Sequence, residues 1–171
     1  MIGWSGCPDA TAENPTVARG WQCALTVPRE LSMRDGKLCQ QPAHEIERMR
    51  GDCVRTTGGE TVEEPGRLFD LVVSCEGAKM VELEIRKGVF VRYADGMLTL
   101  DMGDEGYGRD QRSIELGELR DLRVLSDTTM VEIFANGGEA ALTSRTYSSA
   151  VPAMALHAEG AASMDFYRLA H

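Results

Sequence analysis

Aromatic side chains are scarce. They make up 6% of the 171 residues, and Trp4 and Trp21 are the only tryptophans. A surface dedicated to carbohydrate stacks sugar faces on flat rings. The scarcity therefore counts against that role and leaves Trp4 and Trp21 as the candidate carbohydrate-binding residues. Positive charge is also short: 18 Lys and Arg stand against 27 Asp and Glu, for a net charge of -9. Such a surface repels phosphate backbones, which excludes nucleic acid as an expected partner. No apolar run approaches the roughly 20 residues that span a bilayer, and no basic-then-apolar leader precedes the first turn, so no membrane partner is expected. The five cysteines, Cys7, Cys23, Cys39, Cys53 and Cys75, are odd in number and form no C-x-x-C pair, which argues against a zinc site or a thioredoxin-like motif. Free thiols without an export signal lead to the expectation of a cytoplasmic protein. Gly58-Gly59 and Gly137-Gly138 are turn formers and open no helix, so no phosphate cradle is expected. There is no nucleophile-elbow motif. No cofactor is expected.

What is present is ordinary for a soluble domain: 43% hydrophobic and 26% charged residues. The length is enough to bury a core without disulfides or metals. The first 17 residues read as loop. A hairpin follows, with a strand over 24–33, a turn at Arg34-Asp35-Gly36-Lys37 and a return over 38–41, since Asp-Gly supplies the positive φ of a tight turn. Pro28 cannot donate to a ladder and places its strand at an edge or a bulge. Residues 44–50 can form one or two helical turns with Ile46 and Met49 on one side. Beyond Thr56-Thr57-Gly58-Gly59-Glu60, taken as the main boundary, the pattern is β. Val81, Leu83 and Ile85 alternate with Glu82, Glu84 and Arg86, and Val89, Val91 and Tyr93 continue the period of two. Asp95-Gly96, Asn136-Gly137-Gly138 and Glu159-Gly160 mark turns. Many short strands between turns predict an all-β, antiparallel two-sheet sandwich with an N-terminal β-hairpin arm.

The densest carboxylate group is Asp101, Asp104, Glu105 and Asp110 around a Gly-rich turn. Its oxygens could hold calcium, which makes Asp101, Asp104 and Asp110 the metal candidates. The spacing does not match an EF-hand, and a solvated hairpin loop is the preferred reading. Asp127 and Glu132 could approach across a bend, as a retaining glycosidase pair must at about 5 Å. Glu132, however, points away from Val131 and Ile133, toward solvent or an arginine. His44, His157 and His171 are isolated in sequence. The residues themselves therefore point to no metal site and no catalytic pair.

Two stretches are more specific. Residues Gly20-Trp21-Gln22-Cys23-Ala24-Leu25-Thr26-Val27-Pro28-Arg29-Glu30-Leu31, followed by Asp35-Gly36-Lys37-Leu38 and Gln41-Pro42, resemble the closing strands of the catalytic propeller of family 32 glycoside hydrolases. Gly3-Trp4-Ser5-Gly6 and Asn14-Pro15-Thr16 are similar to the loop leading into that last blade. Downstream, Asp121-Leu122-Arg123-Val124-Leu125, then Val131-Glu132-Ile133-Phe134-Ala135-Asn136-Gly137-Gly138-Glu139, then Leu142-Thr143-Ser144-Arg145-Thr146-Tyr147 resemble the C-terminal sandwich of the same family.

The resemblance implies a jelly-roll-like or concanavalin-like sandwich, with residues 1–43 as a remnant of the last propeller blade, 44–60 as a linker and 61–171 as the sandwich. Family members hydrolyse β-fructofuranosides such as sucrose, sucrose 6-phosphate or fructan with retention, through an Asp nucleophile and a Glu acid/base. The motifs carrying those groups fall ahead of residue 1. Arg34-Asp35 runs into Gly36 and Cys75-Glu76 has the wrong order, so neither matches, and the resemblance implies no catalytic residue here. The implied role is an accessory domain supporting stability or oligomerisation. A free-standing carbohydrate-binding module, or a subunit completing a separately encoded propeller, is the alternative. Strands of an incomplete blade expose unpaired edges. Residues 22–41 are therefore expected to fold onto the sandwich, or to pair with a second copy in a homodimer or with a propeller domain.

Overall fold

The computed structural model describes residues 1–6 and 13–170. Cys7 and His171 lie outside the described residues. Among the described residues sixteen strands follow one another: β1 (Trp4–Ser5), β2 (Ala24–Leu25), β3 (Arg29–Arg34), β4 (Lys37–Pro42), β5 (Arg50–Thr57), β6 (Thr61–Glu63), β7 (Phe69–Ser74), β8 (Met80–Arg86), β9 (Val89–Ala94), β10 (Met97–Asp101), β11 (Gln111–Glu115), β12 (Asp121–Ser126), β13 (Met130–Ala135), β14 (Ala140–Arg145), β15 (Ala153–Glu159) and β16 (Ser163–Leu169). Two six-stranded antiparallel sheets form a β-sandwich, in the orders β11-β10-β9-β8-β15-β6 and β14-β13-β12-β7-β16-β5. The β1-β2 pair and the β3-β4 hairpin are separate two-stranded pieces.

Alternation builds the core. Leu83 and Ile85 of β8, Val89 and Val91 of β9 and Leu98 and Leu100 of β10 point inward from one sheet. Leu71 and Val73 of β7, Val124 of β12 and Phe166 of β16 meet them from the other. Phe69 and Phe166 pack with centroids 5.4 Å apart. Each such large apolar side chain contributes about 1.5–3 kcal/mol on burial. Asp35-Gly36 and Asp95-Gly96 each have two successive positive φ angles, 50° and 76° and then 51° and 76°. Those angles match the right-handed twist of the strands that the two turns join.

A buried cation ties the two sheets together at one end. Arg86 is fully buried where the register of β8 against β9 shifts. Its guanidinium donates to the Ser126 hydroxyl at 2.8 and 3.0 Å, to the Thr128 carbonyl at 3.0 Å and to the Arg67 carbonyl at 3.3 Å. Burial among neutral acceptors lowers its pKa to about 10, so it stays protonated at neutral pH.

Three expectations change. Within 44–60 the helical turns expected over 44–50 are present as the 3-10 helix His44–Met49, but Arg50–Thr57 is not linker: β5 is a full strand of the second sheet, paired with β16. Only Thr56 of β5 is buried, so this edge strand shows no apolar alternation to read. The strand expected over 24–33 is two strands. β2 pairs with β1, Thr26–Pro28 separates them, and β3 begins after Pro28, which has no N–H to give. Finally, β13 is buried on both faces, where alternation implied one, because the hairpin arm lies on its outer side.

Candidate functional site

The arm docks on β13, β14 and the turn between them, and the contact is polar at its centre. Arg29 of β3 is brought over the outer face of β13, its guanidinium 5.0 Å from the Phe134 ring centroid. It forms an ion pair with Glu132, the two side chains being 8% and 2% exposed. The same nitrogen donates to the Thr143 hydroxyl at 2.7 Å, and the second terminal nitrogen to Gln40 at 2.9 Å. The other Glu132 oxygen accepts the Val27 N–H at 2.7 Å. Glu132 therefore faces an arginine rather than solvent, and both its oxygens hold the arm. Asp127 accepts the Thr128 N–H at 2.6 Å. The pair considered for acid/base chemistry is thus occupied by structural bonds.

At the tip, Arg34 donates to the Asn136 and Gly137 carbonyls at 3.0 and 2.6 Å. Lys37 pairs with Glu139 at 3.2 Å and Arg120 with the same carboxylate at 3.0 Å. The hydrogen bond from Lys37, with Arg120 beside it, holds the Glu139 carboxyl below its ordinary value. Behind the arm, the helix His44–Met49 is tied down through Asp70. This fully buried carboxylate receives Arg50 at 2.7 Å and Arg123 at 2.7 and 3.0 Å. Glu47 accepts from Arg123 at 3.3 Å. Sequence reading missed Asp70, Arg50 and Arg123. Asp70 sits in an apolar run, Phe69 to Val73, and an acid there is the signal that could have found it.

The candidate residues fall in different places. Trp4 is 60% exposed on β1. Trp21 is 41% exposed and stacks with Arg145, whose guanidinium lies 5.3 Å from one Trp21 ring centroid and 5.4 Å from that of Tyr147. Arg145 also donates to the Gln22 and Thr129 carbonyls at 2.9 and 3.0 Å, so Trp21 takes part in anchoring the chain ahead of the arm. Asp101 is bound by Arg92 and accepts the Gly103 N–H at 3.2 Å. Among the described residues Asp101, Asp104, Glu105 and Asp110 do not converge into a set of metal donors. An exposed group, Glu30, His44 and Glu45, does converge. His44 Nδ1 lies 2.8 Å from Glu30 and Nε2 3.4 Å from Glu45, so the two carboxylates sit on opposite ring nitrogens, as around an imidazolium. His44 is therefore not isolated in space, and its hydrogen bond to Glu30, helped by Glu45, raises its pKa.

Comparison with known proteins agrees with this architecture. The model of the "Glycosyl hydrolases family 32 C terminal" domain matches residues 81–169, and that of the family's N-terminal domain matches residues 1–42. A raffinose invertase of Escherichia coli is 37% identical over 168 residues, covering 88% of this chain and 34% of that protein. The sucrose-6-phosphate hydrolase of Salmonella typhimurium is 30% identical over 157 residues, covering 86% of this chain and 31% of that enzyme. The structure of a sucrose-6-phosphate hydrolase from Lactobacillus gasseri superposes with a TM-score of 0.85 at 20% identity, over 99% of this chain and 38% of that one. The chain thus spans about a third of the length of the curated relatives it matches. No helix among the described residues is long and apolar enough to cross a membrane. With its sandwich matching the C-terminal domain model and its arm the N-terminal one, the chain belongs to the family 32 glycosyl hydrolases.

Proposed function

We propose that this chain is the non-catalytic C-terminal part of a β-fructofuranosidase-type hydrolase acting on sucrose, sucrose 6-phosphate or a fructan, and that it supports the stability or assembly of the domain carrying the catalytic groups. One observation carries the reading. The residues that match the N-terminal domain are docked on the sandwich by a buried ion pair, yet their outer side presents Leu31, Met33 and Leu38 at 47%, 68% and 54% exposure. Exposed apolar side chains on a short hairpin are what a covering partner would bury. The two-stranded pieces also leave strand edges for further strands to pair with. A propeller domain in the same polypeptide, or one encoded separately, supplies both. The four described cysteines are free thiols, which supports a reducing, cytoplasmic setting.

The test pairs this chain with the part of the E. coli raffinose invertase that precedes its match. Alone, the chain should release no fructose from sucrose. Mixed with the catalytic part, it should form a complex and raise that part's thermal stability and activity. Sucrose hydrolysis by the purified chain, abolished by no contaminant control, would overturn the reading. So would failure of the two parts to associate when the invertase's own C-terminal part does.

A further inference from the structure

Alternation along β12 and β13 sends Val124, Val131 and Ile133 into the sandwich core and leaves Leu125 and Met130 on the outer face of the second sheet. Both are nevertheless buried, at 4% exposure each. They form the floor of a cleft of about 300 Å³. Its walls are Val27 in the link before β3, Ile46 and Met49 of the 3-10 helix, and Leu169 of β16. A cleft of this size, mostly apolar and with a few polar groups at fixed places, suits a small ligand.

The charges decide what fits. Among the described residues the lining holds two carboxylates, Asp127 and Glu132, and no basic side chain. Glu132 is committed to Arg29 and the Val27 N–H. Arg86 reaches Ser126 from the inside, is fully buried and has each of its nitrogens bonded, so it offers nothing to a ligand. Asp127 is different. It is exposed, and one of its oxygens, Oδ1, accepts the Thr128 N–H and hydroxyl at 2.6 and 3.2 Å. A carboxylate fixed in this way has room for further donors at Oδ2. Apolar walls leave the hydroxyls of a polar ligand unbonded, and Asp127 repels an anion. An alkyl or aryl body carrying one positive group satisfies both. We propose that this cleft binds a small amphipathic amine, its apolar body on Leu125 and Met130 and its ammonium at Asp127. The cleft is built wholly from this chain, so the site stands or falls apart from the accessory role proposed above.

The experiment is an NMR titration of the chain, read at backbone amides and methyl groups, with hexylammonium, hexanol and hexanoate at pH 7 and matched ionic strength. Hexylammonium should give saturable shifts at Val27, Met49, Asp127 and Met130. Hexanol should shift the same signals more weakly, and hexanoate should not. Asp127→Asn keeps the side-chain oxygen that Thr128 bonds and removes the charge. It should weaken hexylammonium about two- to fivefold, the scale of one exposed ion pair, and leave hexanol unchanged. Met49 is 42% exposed at the rim, so Met49→Lys tests the charge without emptying the floor and should reverse the preference toward hexanoate. The proposal is overturned by the absence of saturable shifts with hexylammonium, by hexanol or hexanoate binding as tightly, or by Asp127→Asn binding hexylammonium as the unaltered chain does.

Discussion

Gly138 and the backbone of Gln40 approach so closely that a Cβ built on the glycine would lie 2.0 Å from the Gln40 carbonyl oxygen. The glycine also has φ +88°. This position joins the turn after β13 to the return strand of the arm, and only a residue without a side chain permits the contact.

Gly138→Ala should therefore release the arm while leaving the sandwich folded. A backbone clash of this kind costs about 1–3 kcal/mol, to which the left-handed φ adds. Amide exchange should accelerate across β3 and β4 but not across β7, β8 or β9. Unchanged protection of the arm in this variant would mean that the close approach is not required for docking.

Glu132→Gln should destabilise far more than loss of a surface pair, because it leaves the Arg29 guanidinium buried without a counter-charge. The expected cost is about 3–5 kcal/mol. Replacing both partners, as in Arg29→Met with Glu132→Leu, should recover much of the loss. By contrast, Asp165→Asn breaks a pair whose arginine side chain is 71% exposed, and should cost under about 1 kcal/mol. Chemical denaturation of the three variants measures these differences. Equal losses for Glu132→Gln and Asp165→Asn would contradict the buried-pair assignment.

His44 should titrate above the usual histidine range because it bonds Glu30, and Glu30 below the usual carboxylate range because it bonds His44. The stabilisation from a raised histidine is fully present below its unfolded pKa and is lost as pH rises through the folded value. That from a depressed carboxylate is present above its unfolded pKa and is lost as pH falls through the folded value. The clamp thus works between the two folded pKa values and loosens on either side. Histidine ring NMR should show Glu30→Gln moving the His44 titration downward. No movement would place the cause elsewhere.

Thiol reactivity should separate the cysteines. Cys23 and Cys53 are exposed, while Cys39 and Cys75 are buried. Burial pushes the Cys75 thiol up to about 12, so almost none is thiolate at mild pH. Iodoacetamide at pH 8, followed by peptide mass analysis, should modify Cys23 and Cys53 in the folded chain and reach Cys39 and Cys75 only after denaturation. Rapid labelling of Cys75 would show that the sandwich opens readily at that strand end.

Much of the fold was legible because it rests on short-range chemistry. Asp35-Gly36, Asp95-Gly96 and Asn136-Gly137-Gly138 are residue types that favour the positive φ found at each of them, and the alternation of Val81, Leu83 and Ile85 selects one face of one strand. The candidate site was less legible. Alternation placed Glu132 correctly on the face away from Val131 and Ile133. Choosing between solvent and an arginine required knowing that Arg29, over a hundred positions away, covers that face.

The all-β class, the turns, the arm as a hairpin and the family motifs follow from the residues alone, since local dihedral preference and period-two patterning act within a few residues. That β5 joins the sheet, that β13 is buried on both sides, and that the side chains of Asp70 and Arg86 lie inside the protein depends on packing between distant segments. An edge strand takes its place from a ladder partner, and a buried charge is stable only where distant groups converge to bond it. Neither condition is written in the neighbouring residues.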